Sequence, residues 1–196
     1  MIPPEWATRL GKRLSLETFA IEFSDAWNNL ASRFLKLECW QTYQEQESNK
    51  SHSEYKLGNV ANAAKMLENE AETDRPLYEG VKSRRLKYAR VRLIKLPLTP
   101  YLRYEMISYR IREQMGENIE VVQVGSEVSL PNEEYFDFLL FDRTTALVHD
   151  YGTDGRQVGG WLVEDAETLE RLERTTAQLR RHAVPIGRFL PSIGGK

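Results

Sequence analysis

Three features of the 196-residue sequence predict an α+β fold with a mostly antiparallel sheet. Amphipathic helical stretches fill much of the first half, three short apolar runs with turn signals between them occupy residues 136–163, and one more helical stretch follows. Helices gathered before and after a run of strands, rather than alternating with them, are the mark of that class.

In chain order, Phe19, Phe23, Trp27 and Leu30 fall on one helical face behind Ser15, a residue suited to an N-cap. Residues 34–40 read as a short strand. The polar stretch from Gln41 to Tyr55 has no periodicity and is expected as a mobile surface loop. Leu57, Val60, Ala61, Ala64 and Leu67 predict a second amphipathic helix, and Pro76 marks the first turn of a third. Lys87 to Leu96 alternates and stops at Pro97, as a strand with one buried face would. Thr99-Pro100 at one end and Gly116 at the other bracket a helix over 100–115, with a strand as the competing reading because Leu102, Tyr104 and Met106 alternate with Arg103 and Glu105; Ile119 to Val124 is a further strand.

The runs FDFLLFD, TTALVHDY and RQVGGWLVED, with Asp-Gly in the second link, predict a three-stranded meander. Asp165 caps a last helix whose inward stripe is Leu169, Leu172, Leu179 and Val184, and Pro185 stops it. The expected sheet has five or six strands. Residues 1–33 are expected as a helical arm, 34–190 as the α+β domain, and 191–196 as a flexible tail.

Apolar residues make up 41% and charged residues 29%, an ordinary globular balance. No apolar run approaches the roughly 18 residues of a membrane span, and MIPPEWATRLGKR lacks the apolar stretch of a secretory signal. A cytoplasmic protein with no membrane contact is expected. The single cysteine, Cys39, excludes an intrachain disulfide and reads as a small buried hydrophobe. Of the three histidines, no two have helical metal-ligand spacing, so neither a metal site nor a cofactor is predicted. Asp150, Asp154 and Gly155 open like a calcium loop, but Trp161 stands where the bidentate glutamate belongs, and a hairpin is the better reading.

The net charge of −2 conceals a strong asymmetry. Residues 82–112 carry ten Lys or Arg against Glu105 alone, with four tyrosines interleaved, while residues 113–154 carry ten acids against Arg143. Blocks of +9 and −9 that adjoin in sequence are expected to meet in the fold, the strand arginines pairing with acids of the meander. A site built from the basic block would use Arg90, Arg92, Tyr101, Arg103 and Arg110 as its binding groups. Glu105 and His149 would then be the acid/base pair of a small nuclease-like enzyme acting on a phosphodiester.

Residues 33–190 contain, in order, RFLKLECWQTY, RVRLIKLPLTPYLRYE, MGENIEV, FDFLLFDRTTALVHDYGTDGRQVGGWLVED and HAVP. This succession resembles an actinobacterial family of unknown function whose members read AFRLE…Y, RVRVV…YLRFE, AGEDIR, DFWLFDD…DEDGR…ELVDD and HAVP. The likeness covers about four-fifths of the chain; it departs at Met115–Asn118, MGEN in place of AGED, and in the long stretch before Phe34. What the resemblance implies is a small accessory protein, often encoded near helix-turn-helix regulators, with no catalytic residue to carry over. A non-enzymatic regulatory or interaction module is therefore expected. Its partner would be another protein or a second copy, met through the helix bearing Phe19, Phe23, Trp27 and Leu30; nucleic acid is the lesser candidate.

Overall fold

A computed structural model describes residues 2–46 and 48–193. A short helix α1 (Glu5–Thr8) leads into β1 (Lys12–Ser15) and α2 (Leu16–Asn28), and β2 (Arg33–Glu38) follows. Three helices, α3 (Lys50–Lys56), α4 (Val60–Thr73) and α5 (Arg75–Ser83), connect it to β3 (Lys87–Ile94). Helix α6 (Pro100–Gln114) leads to β4 (Ile119–Gln123), and the meander is β5 (Phe138–Phe141), β6 (Thr145–Asp150) and β7 (Gly159–Val163). The chain ends with α7 (Ala166–Arg180), β8 (Val184–Pro185) and α8 (Ile186–Ile193). The class is α+β, as the sequence predicts. No helix among the described residues is long and apolar enough to cross a membrane.

All eight strands lie in one sheet in the order β1-β7-β6-β5-β2-β3-β4-β8. The neighbours β2, β3 and β4 run parallel, because each connection between them is a helical crossover. Every other pairing is antiparallel. The expected five or six strands fall short by the two edges. Strand β1 is only four residues, two of them charged, and β8 is two residues at the proline expected merely to stop a helix.

One face of the sheet is apolar through its centre, with Arg13, Asp150 and Glu120 toward its edges. Leu35, Leu37, Val91, Leu93, Leu140 and Val148 pack there against Leu169, Leu172 and Leu179 of α7 and Ala7 of α1. Val184, expected in that stripe, is exposed and pairs with Val121 instead. The opposite face divides into three. At one end α2 covers Leu14, Phe34, Leu139, Phe141 and Leu147. At the other, α6 and α8 cover Ile94, Ile119 and Val121. Between them the strands turn Lys36, Glu38, Arg90 and Arg92 upward.

Residues 1–33, expected as an arm, supply β1 to this sheet and α2 to its face. Phe19 and Leu30 are buried, while Phe23 and Trp27 are half-buried against Phe34, Phe141 and Tyr88. The polar stretch expected as a loop becomes helical at Lys50, where Asn49 caps the backbone of His52 and Ser51 is buried on the Tyr104 hydroxyl. In α4 the buried stripe is Ala63, Leu67 and Ala71, because α6 covers that side; Leu57 and Val60 stay exposed. At the C-terminus Ile186 and Phe189 are buried on α6 and β4, so the residues after Pro185 form a docked helix through Ile193. The last three residues of the expected tail lie outside the described residues.

Asp142, after β5, ties the start of β2 to the meander. It adopts φ +51°, a left-handed conformation that Asp and Asn tolerate, and its carboxylate accepts from the backbone of Ala31, Ser32 and Arg33 and from the Ser32 hydroxyl. Partial burial opposes ionisation there, but these donors win and bring the carboxyl from 3.8 to about 2. Its contribution to stability is therefore complete above pH 3.8 and is lost as pH falls through about 2. Asp142→Asn, which keeps the backbone preference, should lower stability by about 1–2 kcal/mol in urea melts at neutral pH. The gap from wild type should close under acid.

Replacing Phe23 and Trp27 together with Ala should cost about 3 kcal/mol, less than two fully buried aromatics would, at unchanged mass in light scattering. A normal melting temperature with a lost assembly would place the stripe on another chain.

Candidate functional site

Strands β2 and β3 run parallel with Lys36 opposite Arg90 and Glu38 opposite Arg92, so all four side chains project from one face in two adjacent rows. Gln41 staples the two strand ends. Its amide donates to the carbonyls of Cys39 (2.8 Å) and Leu93 (2.9 Å), and its side-chain oxygen accepts from the Lys95 backbone (2.9 Å). Thr99 then caps α6 and donates to the Gln41 carbonyl, which holds α6 over the charged rows. Tyr101, Glu105 and Tyr109 recur at four-residue spacing, with Arg112 one turn further, and face the sheet.

Glu38 is the centre of the charge arrangement. It accepts from Lys36 (2.7 Å), Arg90 (3.1 Å) and the Tyr109 hydroxyl (2.9 Å). Burial alone would lift this carboxyl, but Arg90, Lys36 and Arg92 hold it well below the ordinary carboxylate range. Arg90 turns its Nε to Glu117 (2.6 Å), which also accepts from Tyr78 (2.6 Å) and Tyr88 (3.1 Å). Glu117 is delivered by the turn that ends α6, where Gly116 sits at φ +103° and the Glu117 N–H returns to the Arg112 carbonyl. Arg112 donates to Asp74 and to the Tyr78 hydroxyl (3.1 Å) and makes no bond to Glu38. Arg92 is fully enclosed; its Nη2 donates to the Trp40 carbonyl, and its Nε and Nη1 have no hydrogen-bond partner.

A second buried carboxyl, Asp137, accepts from the Cys39 backbone (2.6 Å) and the Tyr43 hydroxyl, and burial raises its pKa. His149 lies beside it on the same face, its ring against Phe19 (4.9 Å) and stacked on Tyr151 (5.5 Å). Gln157 faces that ring, yet both imidazole nitrogens and the Gln157 amide nitrogen remain without a properly formed hydrogen bond. Burial, with Lys36 nearby, pushes the imidazole down to about 3 and keeps it neutral. Cys39 is buried and its thiol is pushed well up, by burial first and then by Asp137.

Lys36, Glu38 and Arg90 floor a cleft of about 460 Å³, with Tyr43, Tyr101, Tyr109 and Tyr151 in its lining and Glu45, Gln46 and Arg156 at its margin. Of the predicted binding residues, Arg90 and Tyr101 line it. Arg92 lies enclosed beside Tyr43 and Tyr109, whereas Arg103 and Arg110 are on the exposed side of α6. Glu105 opens into the cleft, but His149 borders a different concavity beside α2, and no contact joins the two. The oppositely charged blocks do meet through Arg90 and Glu117, but the meander's acids are used elsewhere: Asp150 on Arg13 and Asp142 on the start of β2. Lys36, Glu38, Tyr43, Asp137 and Glu117 were not singled out in the sequence. The available signal was RFLKLE, in which two charges two apart interrupt an apolar strand. Among the described residues, no group of three or more His, Cys, Asp or Glu converges as metal ligands would.

Glu38→Gln should lower stability by about 3–5 kcal/mol in chemical denaturation, because it leaves Arg90 and Lys36 without their shared counter-charge. The pH dependence has a definite sign. A depressed carboxyl stabilises above its unfolded value and loses that contribution as pH falls through its folded one, so the wild type should lose stability on acidification more steeply than the variant. A cost below about 1 kcal/mol would show that the pair is solvated.

No curated protein matches this sequence at a significant level. Among solved structures, the crystal structure of phosphatidylserine synthase from Haemophilus influenzae Rd KW20 is similar at a TM-score of 0.43 and 11% identity, over 88% of this chain and 38% of that one. The present chain thus spans well under half the length of that structure. The model of the family described as Domain of unknown function (DUF6879) matches residues 21–191, most of the sequence, and the chain belongs to that family.

Proposed function

We propose that this protein is a non-enzymatic recognition module of the cytoplasm that receives a polar segment of a partner protein in the tyrosine-lined cleft, in a regulatory role. The observation that carries this reading is that the cations of the cleft floor are already neutralised: Lys36 and Arg90 by Glu38, Arg90 again by Glu117, and Arg112 by Asp74. A phosphate would have to compete with carboxylates of the fold for every one of them. Nor does the floor offer an activated nucleophile. Cys39 is sealed with its thiol pushed up, and a sealed, neutral His149 is a weak base.

The nuclease-like alternative draws on one observation, the unpaired N–H groups of Arg92 and the unpaired His149 and Gln157 nitrogens. A phosphodiester could satisfy donors of that kind, but Arg92 has no exposed surface in this arrangement. The two readings separate in two measurements. Bis(4-nitrophenyl) phosphate and short DNA and RNA oligonucleotides should show no turnover; hydrolysis abolished by His149→Ala would overturn the proposal. A photocrosslinking amino acid at Gln46, exposed on the cleft margin, should capture a protein in the native host. The same group at Arg110, on the outer side of α6, should not.

A further inference from the structure

Beside the cleft, α2 and α5 flank a second concavity, a slot of about 220 Å³ floored by the sheet. Phe23 and Trp27 of α2 form one wall and Leu77 of α5 the other, with Phe34 and Tyr88 of the strands between them. The two α2 rings lie parallel, at 5° and 6.2 Å between centroids, and Trp27 meets Phe34 and Tyr88 edge to face. The slot is thus bounded by flat aromatic surfaces. The charged residues of its lining, Lys36, Asp74, Arg90 and Arg112, all belong to ion pairs, and the Tyr78 and Tyr88 hydroxyls donate to Glu117. His149 is the exception. It borders the slot from β6, is only 8% exposed, packs on Phe19, and has no hydrogen-bond partner on either ring nitrogen. A buried polar atom left unpaired is costly, and a group that hydrogen-bonds to it removes that cost.

We infer that this slot binds a small molecule, an uncharged one- or two-ring nitrogen heterocycle whose ring lies among Phe23, Trp27 and Tyr88 and whose ring nitrogen meets His149. Its size suits such a guest: about 220 Å³ is below the roughly 300 Å³ at which pockets for drug-sized ligands begin, and too small for a length of polypeptide. Its surfaces suit a planar ring, and mostly aromatic walls with one polar group to fix orientation are the usual make-up of a ligand site. Its charges exclude an ion, which would have to break one of the existing pairs to gain a partner. Burial keeps the imidazole neutral, so it offers one N–H and one lone pair, the complement of a heterocycle that carries an N–H or a bare ring nitrogen. The second torsion of a histidine is broad, so the ring can turn a nitrogen toward the guest. The site is separate from the tyrosine-lined cleft and does not depend on the recognition reading, although Lys36, Arg90 and Arg112 border both.

Calorimetric titration of the full chain at neutral pH with benzimidazole, benzoate, benzylammonium and acetyl-tryptophan-amide tests this. Benzimidazole should saturate below about 10 mM, and the two charged rings should bind at least about tenfold more weakly. His149→Phe keeps a ring and removes the nitrogens, so it should weaken benzimidazole by about two- to tenfold, the worth of one neutral hydrogen bond. Because it also removes two unpaired buried nitrogens, its melting temperature should match or exceed that of the wild type, which excludes misfolding as the cause. Should that variant fail to fold, Leu77→Trp provides the second test: it fills the slot from a half-buried position on α5, leaves His149 in place, and should abolish binding. The tryptophan amide, which carries a similar ring on a piece of backbone, should bind no better than benzimidazole; tighter binding would assign the slot to a partner protein and overturn the small-molecule reading. Absence of saturation by benzimidazole, a charged ring bound equally well, or undiminished binding in either folded variant would overturn it too.

Discussion

The structure depends on the burial of Arg90. This residue sits in the middle of the parallel strand β3, its side chain only 13% exposed, and arginine cannot shed its charge to relieve the cost of leaving water. Desolvating such a group costs several kcal/mol, offset only when its donors are met by well-placed acids. Glu38 on the neighbouring strand and Glu117 at the end of α6 meet it from two sides, and each acid in turn needs further donors. Lys36 and Tyr109 complete Glu38, while Tyr78 and Tyr88 complete Glu117. One buried charge thus accounts for the inward-facing Tyr78, Tyr88 and Tyr109, and for the turn at Gly116 that brings Glu117 back to the sheet.

That arrangement also limits what the site can do. A cluster whose members hold one another in fixed protonation states is suited to holding a shape, whereas acid/base catalysis requires a group poised to exchange a proton near neutral pH. The groups with shifted pKa values are shifted away from neutrality or sealed. His149 is driven down to about 3, and the tyrosines of the floor are driven up, first of all by burial. Glu105 stands apart because it is raised, opens into the cleft, and belongs to no ion pair. The lining carboxyl of α6 thus differs from Glu38 of the floor in having no ion pair.

Much of this architecture was legible in the sequence, and the limits have physical causes. Helix α6 announced itself by Thr99-Pro100 and Gly116, because caps are local chemistry. The meander did so by apolar runs separated by turn residues. The edge strands did not, since a strand of two or four residues has too few positions for a period to show. The floor was half visible. Arg90 and Arg92 drew attention through the density of charge around them, while Lys36 and Glu38 sat in a strand too apolar to suggest a polar face. A charge block is a one-dimensional signal; it does not separate Arg90, which turns inward, from Arg103 and Arg110, which α6 turns toward solvent.

Strand direction explains why the scattered residues assemble. In sheets with parallel strands, ligands bind beyond the carboxyl ends, where the connecting segments leave a crevice. Strands β2 and β3 end at Glu38 and Ile94, and the segments leaving them carry Tyr43, Glu45 and Tyr101. Because β5 runs antiparallel to β2, its beginning and not its end lies there, which sets Asp137 beside Cys39. Because β6 reverses again, its end arrives with His149 and Tyr151, and the link to β7 adds Arg156 and Gln157. Four chain segments distant in sequence thus open at one end of the sheet. The alternation of strand direction, more than any single motif, places the carboxylates of α6 and the 41–46 segment over a floor in which Lys36 and Arg90 share Glu38.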